Sequence, residues 1–202
     1  MEVSTALLLR TPLFRGIPQE ALPALLEGLG ARKRRCGRGE VVLRRGERAD
    51  RLGLGLSGTL HIVKEDFWGS RTIVGLARSG EVFAEAYACA PDELLLVDVV
   101  ASEACEVLFL DAKRILTQCT NACEHHSRII RNLVRTLAHK NLALSRRSLH
   151  TGPRTIRARL LSYLGEQARR AGSRSFTIPF DRQQLADYLN VERSALSNEL
   201  SK

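Results

Sequence analysis

The chain has 202 residues, and its 31 Lys/Arg exceed its 22 Asp/Glu to give a net charge of +9. This length allows one large or two small domains with a proper core, and the positive balance favours polyanionic partners. No apolar run approaches the length of a membrane span, and residues 5–9 (TALLL) lack the cleavage pattern of a signal peptide. Five cysteines without a dense framework are typical of reduced thiols. We therefore expect a cytoplasmic protein without a membrane partner.

The N-terminal half changes character at about residue 31. Residues 1–30 are predicted to form short helices, because leucines recur there at helical spacing. Residues 31–110 then read as short β-rich runs, beginning with VVLRR. Between these runs stand turn glycines at intervals of 12, 11 and 11 residues: Gly46, Gly58, Gly69 and Gly80. Evenly spaced strands with turn signals predict an antiparallel β-roll, a double-stranded β-helix or jelly roll, over residues 1–112.

A long helix is predicted from about Lys113 to Arg147. Its first apolar seam is formed by Ile130, Leu133, Leu137 and Leu144, and its second flank by Ile129, Val134 and Leu142. One flank can pack on the β-roll, whereas the other is most economically covered by the same helix of a second chain. We therefore predict a homodimer through residues 119–147, with residues 113–150 as dimerisation helix and hinge. Lys140 and Asn141 interrupt the seam and either fix its register, contact a ligand or simply face solvent.

The remaining residues, 151–202, form a third predicted segment. Thr151, Gly152 and Pro153 give a break signal and a natural hinge. An amphipathic helix (TIRARLLSYLGEQARRAG) follows, and SFTIPF then reads as a short strand. Residues 147–202 hold ten Lys/Arg against five Asp/Glu, a charge that suits contact with phosphates.

Residues 181–202 carry the most informative motif. Asp181 and Gln184 have capping-box spacing, so a helix should begin at Arg182. Asn190 tolerates the left-handed conformation of a tight turn, and a second amphipathic helix follows from about Arg193. This pattern predicts a helix-turn-helix whose second helix hydrogen-bonds base edges. The alternative is a helical hairpin with a solvated polar face.

The sequence thus predicts a β-roll, a long helix, a hinge and a basic helix-turn-helix, in this order. This architecture resembles that of the Crp/Fnr family of bacterial transcription regulators. LRTPLFRGIPQEALPALL is similar to the family's opening, SGTLHIVKED and SGEVFAEAYA to its β-roll turns, and residues 155–202 to its DNA-binding module. The resemblance implies a β-roll that senses an effector, a homodimer that reads an inverted repeat with heads roughly 34 Å apart, and RNA polymerase as a further partner.

The resemblance also assigns roles to individual residues. The predicted DNA-contacting set is Arg193, Ser194, Ser197, Asn198, Arg182 and Lys202. Arg193 is the expected guanine reader, while Asn198 stands where many members have arginine, so the target sequence does not carry over. The family continues into a β-hairpin wing, whereas this sequence stops at Lys202. We therefore expect a winged-helix-type module that is truncated before the wing and binds DNA poorly on its own.

Cyclic-nucleotide binders of the family carry Gly-Glu and, about ten residues later, an Arg-Ser or Arg-Thr pair that holds the phosphate. Here the first element reads Ala84-Glu85, and Leu95 and Leu96 occupy the second. Leucines supply neither a cation nor N–H donors for a phosphate, so the effector is predicted not to be cyclic AMP. The tentative effector pocket comprises Glu85, Tyr87, Leu95 and Leu96, with Lys140 and Asn141 from the long helix.

Cysteines and histidines provide an alternative function. Cys119 and Cys123, followed by His125 and His126, have the spacing of a shared helix face and are weak candidates for a metal or redox site; ordinary packing explains the same spacing. A cupin-like metalloenzyme would need several β-region histidines, and only His61 lies there. We predict neither enzymatic activity nor a bound cofactor. A small-molecule-binding β-roll that acts through protein contacts remains the rival hypothesis.

Overall fold

The computed structural model describes residues 4–117 and 124–202. The chain divides into two compact units, Met1–Leu137 and Ala138–Lys202. The boundary falls within a long helix, so neither unit ends at a simple loop. No helix in the described part of the chain is both long and apolar enough to span a bilayer.

The first unit opens with short helices, as the leucine spacing predicts. They are α1 (Thr5–Arg10), a 3₁₀ turn (Gln19–Ala21) and α2 (Leu22–Gly28). Leu22, Leu25 and Leu29 are buried in the core of this unit. Gly30 ends the segment with a φ of 60°, a value that glycine adopts without steric cost.

Eight strands follow, and they form two four-stranded antiparallel sheets. The strands are β1 (Arg32–Cys36), β2 (Val41–Leu43), β3 (Arg51–Ser57), β4 (Thr59–Glu65), β5 (Arg71–Arg78), β6 (Val82–Phe83), β7 (Asp98–Ala101) and β8 (Cys105–Asp111). The strand orders are β1-β8-β3-β6 and β2-β7-β4-β5. Strands that follow each other in the chain lie in different sheets, except for β4 and β5, which pair as a hairpin within one sheet. This is the jelly-roll arrangement predicted from the sequence.

The four turn glycines all have positive φ angles, 83° at Gly46, 72° at Gly58, 80° at Gly69 and 84° at Gly80. Gly58 is also constrained by space, because an added Cβ would lie 2.7 Å from the Ala104 carbonyl oxygen. The regularly spaced glycines therefore lie at backbone positions that need a positive φ, as the sequence predicted for turns.

Strand β1 was not among the predicted β-rich runs. Its sequence, RKRRC, has four successive cations instead of alternating apolar residues. It forms because β8 pairs with it along its whole length, from Arg32 opposite Phe109 to Cys36 opposite Cys105. Pairing with a buried central strand overrides the weak β propensity of the cations.

The predicted helix from Lys113 is interrupted. Helix α4 (Ala112–Leu116) ends where Thr117 adopts an extended conformation, with φ −85° and ψ 121°. Helix α5 (Glu124–Thr151) then runs beyond the predicted end at Arg147. The prediction of one continuous helix is therefore wrong at Thr117, where the extended backbone breaks the helical hydrogen-bond pattern.

The apolar residues of α5 divide differently from the two predicted flanks. Ile129 and Leu133 are buried in the core of the first unit. The exposed apolar side chains, each at least half accessible, are Val134, Leu142, Leu144 and Leu149. Leu133 of the first seam thus packs in the core together with Ile129 of the second flank, because the β-roll unit covers this side of the helix.

The second unit is helical. In addition to the C-terminal part of α5, it contains α6 (Ile156–Ala171), α7 (Arg182–Leu189) and α8 (Arg193–Leu200). Its core includes Leu160, Tyr163 and Leu196. SFTIPF, predicted as a strand, forms none. A strand requires a paired neighbour, and the described residues of this unit supply no other strand.

Candidate nucleic-acid interface and sensor site

Helices α7 and α8 are joined by a short turn whose chemistry the sequence predicts. The Asp181 side chain accepts from the Gln184 N–H at 2.8 Å, and the Gln184 side chain accepts in return from the Asp181 N–H at 3.0 Å. Asn190 ends α7 in the left-handed conformation, with φ 55° and ψ 56°. Leu196 of α8 is fully buried in the same core as Leu185. The predicted helix, turn and helix are therefore all present.

Two arginines that the sequence analysis did not single out hold the C-terminal end of α7. Arg159 on α6 donates to the carbonyls of Pro153, Leu189 and Asn190 at 2.8, 3.2 and 3.0 Å. Arg147 donates to the next two carbonyls towards the N-terminus, those of Tyr188 and Asp187. The last carbonyls of a helix lack intrahelical partners and carry partial negative charge, so cations stabilise them. These two guanidinium groups therefore fix the position of the α7–α8 turn relative to α6 and to the end of α5.

A buried polar cluster lies beside this turn. His150, which is 3 % exposed, contacts the Tyr188 hydroxyl through Nδ1 at 2.9 Å and the Glu166 carboxylate through Nε2 at 2.7 Å. Glu166 also pairs with Arg170. Burial acts to raise the pKa of Glu166, but the hydrogen bond from His150 and the charge of Arg170 outweigh it and leave this pKa below its ordinary value. The cluster joins α5, α6 and α7 inside the second unit.

The predicted base-reading residues share one face of α8. Arg193, Ser194 and Asn198 are exposed and Ser197 is half-buried, and their spacing of one, three and one residues places them together on a helix. The remaining two members of the DNA-contacting set, Arg182 at the start of α7 and Lys202, are also exposed. The face is polar and bears cations, which suits base edges and phosphates.

Lysines and arginines are more concentrated in the β-roll, around β1, than in the helix-turn-helix module. Residues 32–51 contain nine arginines and lysines and three acids. A cleft of ≈ 370 Å³ beside β1 has five cationic side chains in its lining: Arg32, Lys33, Arg34, Arg48 and Arg51. Some of this charge is neutralised locally, since Lys33 and Arg34 pair with Glu106 and Glu40. The local excess of lysine and arginine in the sequence is the signal that marks this patch.

The tentative sensor residues begin at an unusual backbone position. Ala84 is left-handed, with φ 55° and ψ 10°, and immediately precedes the short helix α3 (Glu85–Ala88). Glycine occupies such a conformation freely, whereas alanine does so at a steric cost. Glu85 follows with only 5 % of its surface exposed. The Ala84-Glu85 step therefore has the backbone that a Gly-Glu pair would adopt.

The other predicted pocket residues do not form one cluster. Leu95 is buried and Leu96 is 68 % exposed, so they face different environments, while Tyr87 is half-buried. Lys140 and Asn141 are exposed on α5 within the second unit. Their membership of an effector pocket stays a prediction.

A groove that the sequence did not predict lies between α2 and the region after β8. It encloses ≈ 830 Å³, and Leu25, Leu29, Arg114, His125 and His126 contribute to its wall. The His126 ring contacts the Ile115 carbonyl at 2.8 Å. Within residues 4–117 and 124–202, no three potential ligands converge on a metal site. Cys119 and Cys123 lie outside the described residues, so their predicted metal or redox role stays untested.

The family comparison concerns the β-roll. Residues 33–121 match the family model described as the cyclic nucleotide-binding domain. This part of the chain, which runs from β1 past β8, is therefore similar to the cyclic nucleotide-binding domain. None of the curated proteins matches the chain.

Solved structures extend the comparison to both units. The catabolite activator protein of Thermus thermophilus has a TM-score of 0.55 at 20 % identity, with 95 % of this chain and 85 % of that chain covered. The c-di-GMP-responsive regulator CLP of Xanthomonas campestris gives 0.59 at 20 %, covering 91 % and 90 %. DNR of Pseudomonas aeruginosa gives 0.54 at 21 %, covering 100 % and 88 %. The chain thus has the fold of Crp/Fnr-type regulators, which confirms the predicted resemblance.

Proposed function

We propose that this protein is a homodimeric, sequence-specific DNA-binding transcription regulator of the Crp/Fnr type. The observation that carries the proposal is the α7–turn–α8 arrangement, with its capping box, left-handed Asn190 and polar α8 face. In a helix-turn-helix, the second helix enters the major groove with its N-terminal residues towards the bases. Arg193 is the first residue of α8, and an arginine there can bond guanine O6 and N7 in a bidentate way.

Dimerisation is supported by α5. Val134 and Leu142 are 58 % and 50 % exposed, and Leu144 and Leu149 are 67 % and 71 % exposed. Several accessible aliphatic side chains along one long helix favour burial against another apolar surface. We propose that the same helix of a second chain covers it and that residues 119–147 contribute to this interface. RNA polymerase remains the proposed downstream partner.

The proposed effector binds the β-roll around the buried Glu85, and it is not cyclic AMP. Leu95 is 1 % exposed and aliphatic, so this position offers a phosphate no charge and no donor. Tyr87, on the same short helix as Glu85, belongs to the proposed contact set. A thermal-shift series with cyclic AMP, cyclic GMP and c-di-GMP tests this proposal, and stabilisation by cyclic AMP that Glu85→Gln removes would contradict it.

DNA recognition is tested by selection from a randomised duplex pool at fixed salt, with and without a metabolite extract, and with a β-hairpin wing included after α8. An inverted repeat with half-sites one helical turn apart is the expected product. Selection only with extract would identify a diffusible effector. If no sequence is selected under either condition, the DNA-binding proposal fails and the protein-contact hypothesis gains support.

Three variants separate base reading from electrostatic attraction. Arg193→Ala should cost about 1–3 kcal/mol and relax the preference at one base pair in each half-site. Arg182→Ala should weaken binding to all sequences alike and reduce the salt slope by about one. Arg174→Ala is the matched control, since Arg174 is exposed in the loop after α6 and should leave both quantities unchanged. Equal effects of Arg193→Ala and Arg174→Ala would show that α8 does not read DNA.

A further inference from the structure

Two cysteines that lie 69 positions apart in the sequence meet inside the β-roll. Cys36 ends β1 and Cys105 begins β8, and the strand register places them directly opposite each other. Both are buried, and both are free thiols. We propose that Cys36 and Cys105 are a redox pair, which a hydroperoxide converts reversibly to a disulfide that joins β1 to β8.

The geometry of the strands favours this bond. Directly opposite residues of antiparallel strands project from the same face, with Cα atoms roughly 4.5–5.5 Å apart. Disulfides usually join Cα atoms about 4.4–6.8 Å apart. A bond between these two sulfurs therefore requires rotation of side chains and no exchange of strand partners. Cys89, the other free cysteine among the described residues, is half-buried elsewhere and serves as an internal reference.

A peroxide can reach the two cysteines when the edge strand of the sheet opens. β1 is the outermost strand of its sheet, and Cys36 is its last residue before a glycine-containing turn. The end of an edge strand opens more easily than a central strand does. Burial raises the pKa of both thiols, that of Cys105 to about 11, while the charge of Arg34 partly offsets this effect for Cys36. Cys36 is therefore the first nucleophile after opening, and Cys105 resolves the intermediate.

The reaction balances without a cofactor. The Cys36 thiolate attacks one oxygen of hydrogen peroxide, the O–O bond breaks, and sulfenic acid forms with release of hydroxide, which takes up the thiol proton as water. The Cys105 sulfur then attacks the Cys36 sulfur, forms the S–S bond and displaces a second water. Two thiols thus lose two electrons to one peroxide, and an excess of a small dithiol reverses the change.

Peptide mapping tests the pair in the intact protein. After peroxide treatment and alkylation, trypsin and a glutamate-specific protease should release Cys36 in residues 36–38 and Cys105 in residues 104–106, joined by a disulfide. Cys89 falls in the separate peptide 86–93. The intact mass should fall by about 2 Da, the loss of two hydrogens, and return with dithiothreitol. Amide exchange in β1 should slow by at least about tenfold in the oxidised protein, because the bond suppresses opening of the edge.

Variants and a reference reaction make the outcome decisive. The linked peptide should vanish in Cys36→Ser and in Cys105→Ser, and persist in Cys89→Ser and in the double variant Cys119→Ser/Cys123→Ser. Mapping in the unmodified protein does not depend on these variants folding. The proposal is overturned if Cys36 and Cys105 remain alkylatable at a peroxide dose that oxidises Cys89. Linkage of either cysteine to a different partner would overturn it equally.

Discussion

The hydrogen bonds of Arg159 make a quantitative prediction about the α7–α8 module. Arg159→Met keeps the aliphatic stem but removes the donors to three carbonyls, those of Pro153, Leu189 and Asn190. A hydrogen bond to a charged group contributes about 1.5–3 kcal/mol. Since this side chain is partly accessible and water replaces some of the bonds, we expect a total loss of about 2–4 kcal/mol.

This loss should be local to the second unit. A module of this size has a total stability on the order of 3–10 kcal/mol, so the variant should lose a large part of it. Hydrogen exchange monitored by mass spectrometry measures this directly. At about 1.4 kcal/mol per factor of ten, protection of the α7 and α8 amides should fall by roughly 30- to 700-fold, while the strands of the first unit keep theirs.

Arg157→Met is the matched control. Arg157 lies on the same helix and is exposed, and the described part of the chain gives it no hydrogen bond or ion pair. Its replacement should change stability by less than about 0.5 kcal/mol. If Arg159→Met changes α7 protection no more than Arg157→Met does, the guanidinium does not fix the turn, and this explanation of the module's geometry is refuted.

Three further variants test the core, the backbone and the buried cluster. Leu196→Ala should destabilise the second unit by about 2–5 kcal/mol, measured by urea unfolding. Ala84→Gly should raise stability by about 0.5–1 kcal/mol, because it relieves a left-handed alanine; an unchanged or lower Tm would contradict this. Because the folded pKa of Glu166 is lowered, its carboxylate stabilises the fold above its unfolded pKa, near 4.5, and this contribution disappears as pH falls through the folded pKa. Glu166→Gln should therefore flatten the acid limb of the stability profile, and an unaltered limb would refute this assignment.

Local signals in the sequence determined the elements whose causes are themselves local. The capping box at Asp181, the left-handed Asn190 and the turn glycines depend on a few adjacent residues. Side-chain hydrogen bonds and backbone sterics act over this short range, so spacing alone predicted them. The jelly-roll class followed from the regular interval between turns, and the order of segments gave the resemblance that the solved structures confirm.

Partners distant in the chain decided the rest, and no pattern in one sequence shows which residues will meet. The cationic segment β1 is a strand because the backbone of β8 pairs with it. SFTIPF is not a strand, because the described residues of the second unit give it no strand to pair with. Leu133 became core because the β-roll packs against its side of α5. The sequence alone drew attention to two nearby cysteines, whereas pairing of β1 with β8 brought together Cys36 and the distant Cys105. Tertiary structure decides such contacts because burial and strand pairing act between surfaces, whatever their separation along the chain.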